Sequence, residues 1–138
     1  MIKDIVVNLT PGAKDDPAYH YALSLAEAFD AHLTGVSFAY DPPWPPAVAD
    51  LGGAQILQSL LEKSRADARA TAAQFEASAK RSQLSVQTLT PEASPPGAAE
   101  AIAILVRAYD LAVLKQANPE NDATSQDIIE AVLVKSGR

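Results

Sequence analysis

Apolar positions along the chain form short β-branched runs that alternate with stretches of helical spacing. The first run, Ile5 to Leu9, is nearly continuous, which is typical of a strand buried on both faces. Asp16 and Pro17 then predict the start of a helix, as its N-cap and its first helical residue. Apolar residues follow at positions 18, 22, 25, 26 and 29, which is the spacing of one buried helix face.

The middle of the chain continues the alternation. A second strand is predicted over Leu33–Tyr40, followed by a long helical segment from Val48 to Ser82. Because glycine weakens a helix, the pair at 52–53 moves the regular start of that helix to about Ala54. A third strand, Leu84–Thr90, alternates in hydrophobicity and is therefore expected at an edge of the sheet.

The last third of the chain repeats the pattern once more. Ser94 and the two prolines after it open a third helix that runs to about Tyr109, and Leu111–Leu114 is a short apolar strand. The segment Thr124–Asp127 resembles a capping box and predicts the start of a last helix, which Gly137 ends. Strict alternation of strand and helix predicts one α/β domain over residues 1–138, with a parallel sheet and helices on both faces.

Composition narrows the function. The 138 residues carry a net charge of −6, which argues against nucleic acid and anionic lipid as partners. Cysteine is absent, so thiol catalysis, disulfides and zinc thiolates are excluded. No apolar run approaches the roughly 18 residues of a membrane span. We therefore expect a cytoplasmic protein with no nucleic-acid partner and no membrane partner.

Taken in order, several segments resemble the universal stress protein family across the whole chain. They are Lys3–Val7, Ala22–Ala26 with Ala31–Leu33, Tyr109–Leu114 and Glu130–Arg138. The long second helix and the missing glycines after the fourth strand look most like the amino-terminal half of a tandem member. The resemblance implies a Rossmann-like fold (adenine nucleotide alpha hydrolase-like) with strand order 3-2-1-4-5, often in a dimer.

The resemblance also identifies where ATP would bind. ATP-binding members carry an acidic residue at the end of the first strand and a motif of the form Gly-x2-Gly-x9-Gly-Ser/Thr after the fourth. Here the matching positions are Asn8 and the segment 115–122, which has no glycine, one proline and two acidic residues. We expect that ATP is not bound in the usual way. An ATP-binding domain with weak or no hydrolysis stays the alternative.

A different small ligand could occupy the same crevice, since open α/β sheets bind ligands where their strand order reverses. Five polar residues are candidates to line it: Asn8, Thr10, Ser37, Lys115 and Gln116. The competing interpretation is that Asn8 and Thr10 only satisfy backbone groups in the turn after the first strand.

Other polar motifs have structural explanations. His20 and His32 lie 12 positions apart without a cysteine, which is too little for a metal site. The acidic pair at 15–16 could act in catalysis, but a helix start explains it fully. With no catalytic set, we do not expect an enzyme. Pro42–Pro46, which includes Trp44, is interpreted as a stiff lid, or alternatively as a ligand for a proline-binding module.

The sequence stops at Arg138, where the family's fifth strand would begin. The strand Leu111–Leu114 would then be an uncharged edge, which either reflects a fragment of a longer protein or is covered by dimerisation. We expect a homodimer or another strand-supplying partner near Leu111–Leu114 and the last helix. The function expected from the resemblance is a regulatory or binding module of the stress response, with a pure assembly domain as a further possibility.

Overall fold

The computed structural model describes residues 1–41, 52–118, 120 and 122–137, so the predicted lid at Pro42–Pro46 lies outside the described residues. The main strands and helices alternate as the sequence predicted, with one additional two-residue strand after the second and another after the third strand of the main sheet. The strands are β1 (Asp4–Asn8), β2 (His32–Val36), β3 (Ala39–Tyr40), β4 (Val86–Leu89), β5 (Glu92–Ala93) and β6 (Leu111–Val113). The helices are α1 (Pro17–Phe29), α2 (Ala54–Arg81), α3 (Pro95–Leu105), which runs into a 3₁₀ turn at Val106–Ala108, and α4 (Ala123–Lys135).

The main sheet has four parallel strands in the order β4-β2-β1-β6. Counted as the four predicted strands, this is the order 3-2-1-4, so the prediction is confirmed. Ile5 of β1 lies opposite Leu33 of β2 on one side and Leu111 of β6 on the other. The third predicted strand lies at an edge, as its alternating pattern indicated.

β1 is covered on both faces, which explains its continuous apolar run. Ile5 and Val7 pack with Phe75 of α2 in a cluster that also includes the buried face of α1. Val6 points the opposite way and packs with Ile128 of α4 in a second cluster, which includes the buried face of α3. The domain is therefore a three-layer sandwich with α1 and α2 on one side and α3 and α4 on the other.

The second predicted strand is divided in two, so the prediction of one strand over Leu33–Tyr40 was wrong at its end. β2 stops at Val36, and β3 resumes at Ala39 and pairs with β5. Pro91 on the neighbouring chain segment explains the break, because proline has no N–H to donate into the ladder. The Ala39 N–H still donates to the Pro91 carbonyl at 2.9 Å. β3 and β5 therefore extend past the carboxyl edge of the main sheet.

The long helix α2 supports this extension. It begins at Ala54 as predicted, and its 28 residues span about 42 Å, far more than the strands beneath it. Its Ser64 hydroxyl donates to the Tyr40 carbonyl at 2.8 Å, and Arg65 forms two bonds to Glu92 at 2.5 and 3.1 Å. In the described part of the chain no helix is both long and apolar enough to cross a bilayer.

The helices α1 and α4 each begin after a capping aspartate. Asp16 is the N-cap of α1, as predicted, and its Oδ1 accepts a hydrogen bond from the Ala18 N–H at 3.1 Å. The prediction for α4 was wrong: the helix begins at Ala123, and Asp122 rather than Thr124 is its N-cap. The Asp122 Oδ1 accepts from the Ser125 N–H at 3.1 Å. A carboxylate is preferred there because it also interacts favourably with the positive end of the helix.

Gly35 in β2 is the one position of the sheet that only glycine fits. A Cβ at this position would lie 2.6 Å from two ring carbons of Phe75 and 3.1 Å from the Leu9 Cδ1. Since Phe75 is completely buried, its ring has no room to move away. The close approach of α2 to the sheet therefore depends on the missing side chain.

We predict that Gly35→Ala lowers the free energy of unfolding by about 1–3 kcal/mol, the usual cost of overpacking a core. Urea unfolding monitored by circular dichroism measures this. As a control, Phe75→Leu removes the clashing ring atoms, so the double variant should be more stable than the sum of the two single changes implies. Simple additivity would contradict the proposed contact.

Candidate functional site

The candidate site lies at the carboxyl edge of the sheet, between β1 and β6. From β1 the chain crosses to β2 on one side, whereas it later reaches β6 on the other side, so the strand order reverses between these two strands. β1 ends at Asn8, and β6 ends at Val113, opposite Val7. A crevice at this point is the common ligand position of open α/β sheets.

Asn8 lies at the floor of the crevice. Because Val7 faces α1 and α2, the next residue points toward α3 and α4. Its Oδ1 is buried and, among the described residues, has no hydrogen-bond partner. This oxygen therefore does not accept a hydrogen bond from the turn after β1, which the structural interpretation of Asn8 required.

The turn after β1 is held by Asp16 instead. Its Oδ2 accepts from the Thr10 N–H at 3.1 Å, while its Oδ1 caps α1. The Thr10 carbonyl accepts from the Ala13 N–H at 3.2 Å. The Thr10 residue itself lines two cavities, one of about 500 Å³ between α1 and α2 and one of about 400 Å³ below Tyr40. Sequence analysis identified Asp16 as a cap but missed this second role.

Ser37 does not join Asn8. Its neighbours Val36 and Phe38 both pack in the cluster beneath α3 and α4, so Ser37 faces the α1 and α2 layer. Its side chain is fully buried and its Oγ has no hydrogen-bond partner in the described part of the structure. The Thr34 Oγ1 is likewise buried and has no hydrogen-bond partner among the described residues. Asn8 and Ser37, two of the five candidate residues, therefore lie on opposite faces of the sheet.

Lys115 and Gln116 lie just past the end of β6, on the side of the sheet that α1 covers. Both line a cavity of about 490 Å³ that also contacts Pro17 and Tyr21 of α1. The Lys115 Nζ lies 3.3 Å from Asp122 Oδ2, forming an ion pair at the start of α4. Gln116 is exposed. The structure therefore brings Lys115 and Gln116 together in a cavity that Asn8, Thr10 and Ser37 do not line, and it gives the Lys115 charge an internal partner.

Asp122 is the residue of this region that sequence analysis did not select. Partial burial alone would raise the pKa of its carboxyl, but hydrogen bonds from Ser125 and Lys115 outweigh this and lower the pKa below its ordinary value. The group is therefore ionised at neutral pH and serves both as helix cap and as ion-pair partner. The available signal was an acidic residue three positions before Ser125.

Tyr40 of β3 lies within electrostatic range of Asp122. Burial, and after it the negative charge of Asp122, raises the pKa of its phenol to about 12. The phenol therefore stays neutral at neutral pH and close enough to Asp122 to sense its charge. Its ring packs against Phe38, with ring centroids 5.9 Å apart. Sequence analysis missed Tyr40 because it treated this segment as an ordinary strand.

The positive end of α4 already carries a carboxylate, and the nearest lysine is already paired. The two histidines have separate partners. His20 Nε2 lies 3.5 Å from Asp15 Oδ1, and His32 Nδ1 lies 2.7 Å from Ser85 Oγ. Within the described ranges no cluster of three metal-ligating side chains occurs.

Comparison with known proteins gives the fold. No protein-family model and no curated protein sequence matches the chain. Among solved structures it is similar to the universal stress protein UspA from Lactobacillus plantarum, with 20% identity, a TM-score of 0.66, and coverage of 94% of this chain and 92% of that chain. It is also similar to a universal stress protein from Archaeoglobus fulgidus, with 12% identity, a TM-score of 0.61, and coverage of 100% and 96%. The chain has the universal stress protein fold.

Proposed function

We propose that this chain, which has the fold of the universal stress proteins, is a regulatory or binding module of the stress response that does not bind ATP in the family's usual way. The proposal that ATP is not bound in the usual way rests on one observation. In the segment where ATP-binding members place glycines, Asp122 caps α4 and pairs with Lys115. The chain's own carboxylate takes the position that suits an anionic phosphate.

Electrostatic repulsion by the Asp122 carboxylate opposes the binding of a phosphate at the start of α4. A helix start attracts phosphate through its unpaired N–H groups and its partial positive charge. Here the Ser125 N–H already donates to Asp122, and the carboxylate adds a full negative charge. Two like charges about 4 Å apart repel by roughly 4 kcal/mol near a protein surface. A triphosphate would have to displace the carboxylate and break its bond to Lys115.

The alternative is an ATP-binding domain with weak or no hydrolysis. The observation in its favour is the unpartnered Asn8 Oδ1, since a buried acceptor is stabilised by a donor such as a ribose hydroxyl or an amino group. Asn8 has no charge to repel phosphate. The two hypotheses therefore differ in whether the ligand that satisfies Asn8 also carries phosphates.

We predict that magnesium ATP leaves the thermal unfolding midpoint unchanged at every concentration. A ligand that binds the native state at a hundred times its Kd would raise the midpoint by roughly 8 °C in a domain of this size. Magnesium alone and magnesium with adenosine are the controls. A saturable rise with ATP that disappears in Lys115→Met would contradict the proposal and establish the alternative.

We also propose that the free edge of β6 takes up a strand from a homodimer partner or another protein. Within the described residues β6 pairs with β1 alone, so its opposite edge has backbone groups without a strand beside them. Apolar side chains flank this edge on both faces. Tyr21 of α1 is 62% exposed on one face, and Leu133 of α4 is 73% exposed.

The position of Leu133 follows from the geometry of α4. Ile128 faces the core, and Val134 lines the groove between α4 and α3. At 100° per residue, Leu133 is rotated by about 100° and Ile129 by about 140° from Val134, toward the flank of α4 that faces away from α3. We infer that this flank, on the side of α4 away from α3, lies toward the free edge of β6. Leu133 and Val134 are therefore neighbours in sequence on different sides of one helix.

We predict that Leu133→Lys weakens self-association by at least roughly tenfold, because it places a charge against an apolar strand edge. Val134→Lys is the matched control: it changes an equally exposed residue on the α3 side and should leave association unchanged. Sedimentation velocity across a concentration series measures both. A wild-type protein that is monomeric throughout the series would contradict the homodimer, and equal effects of the two variants would contradict this position for the interface.

A further inference from the structure

A further cavity lies at the β4 edge of the sheet, opposite the β6 edge. It opens between the edge strand β4 and helix α3 and has a volume of about 400 Å³. Val36 and Phe38, which are both buried in the core, form its floor. Leu89 and Leu105 form facing walls on β4 and α3. The cavity therefore reaches from the surface to the hydrophobic core.

Small side chains on α3 explain why this space is open. The helix carries alanine at 98, 99, 101 and 103, and Ala101 lines the cavity. An alanine side chain ends at Cβ and does not reach across to β4. Within the described residues no strand lies beyond β4, so nothing in that part of the chain covers the mouth of the cavity from the edge of the sheet.

The chemistry of the lining is almost wholly apolar. Pro91 contributes ring carbons, and the Thr90 hydroxyl is the one polar side-chain group of the lining. Among the described residues, no charged side chain lines the cavity. Water inside it therefore has few hydrogen-bond partners and is readily displaced by an apolar group. A charged ligand would lose its hydration without compensation.

We propose that this cavity binds a small uncharged ligand with an aromatic or branched aliphatic group. Its volume lies within the range of natural small-molecule sites. Val36 and Phe38 belong to the rigid core, so the floor exists before the ligand arrives. The Thr90 hydroxyl can form one hydrogen bond and thereby orient a ligand that carries a single polar atom.

The test compares two probes of similar shape and different charge, toluene and benzoate. Toluene should produce saturable shifts in the methyl NMR signals of Leu89 and Leu105 and raise the thermal unfolding midpoint by roughly 4 °C at about ten times its Kd. Benzoate should leave both unchanged. This wild-type comparison is decisive by itself, because it requires no variant to fold.

Variants locate the binding site. Ala101 is exposed, so Ala101→Leu extends a side chain into the mouth without disturbing buried packing, and it should weaken toluene binding at least tenfold. Ala77→Leu, at an exposed alanine of α2, is the matched control and should bind toluene like the wild type. The proposal is overturned if toluene gives no saturable shifts, if the shifts centre on other residues, or if they persist unchanged in Ala101→Leu.

Discussion

Burial of β1 on both faces is the constraint on which the rest of the structure depends. A central parallel strand leaves no face for water, so two helices must cover each side of the sheet. This arrangement brings the carboxyl ends of β1 and β6 together with the starts of α1 and α4. The position of the crevice therefore follows from the packing of one strand.

The chemistry of the crevice is set by residues that the fold does not dictate. Asp122 caps α4 and pairs with Lys115. The neutral phenol of Tyr40 lies close enough to Asp122 to be affected by its charge. The universal stress protein fold is thus combined with an internal carboxylate at its anion-attracting helix start. Within the part of the chain that the structure describes, the Asn8 Oδ1 and the Ser37 Oγ, on opposite faces of the sheet, have no hydrogen-bond partner.

Sequence analysis predicted the features that depend on local chemistry. The apolar run of β1, the Asp16 cap and the start of α2 near Ala54 were each encoded in a few consecutive residues. The break at Pro91 and the opposite orientation of Ser37 depend on which residues pair across strands, and a single sequence does not specify that register. The Asp122 cap was missed because two competing N-cap signals lie two residues apart, and the stronger carboxylate prevailed.

The most direct test of the central claim is an NMR titration of the Asp122 carboxyl carbon. We expect a pKa below the ordinary 3.8 in the wild type, and a higher pKa in Lys115→Met, because one of the stabilising hydrogen bonds is then lost. A pKa at or above 3.8, or one that Lys115→Met leaves unchanged, would contradict the claim that this carboxylate occupies the crevice as a paired charge.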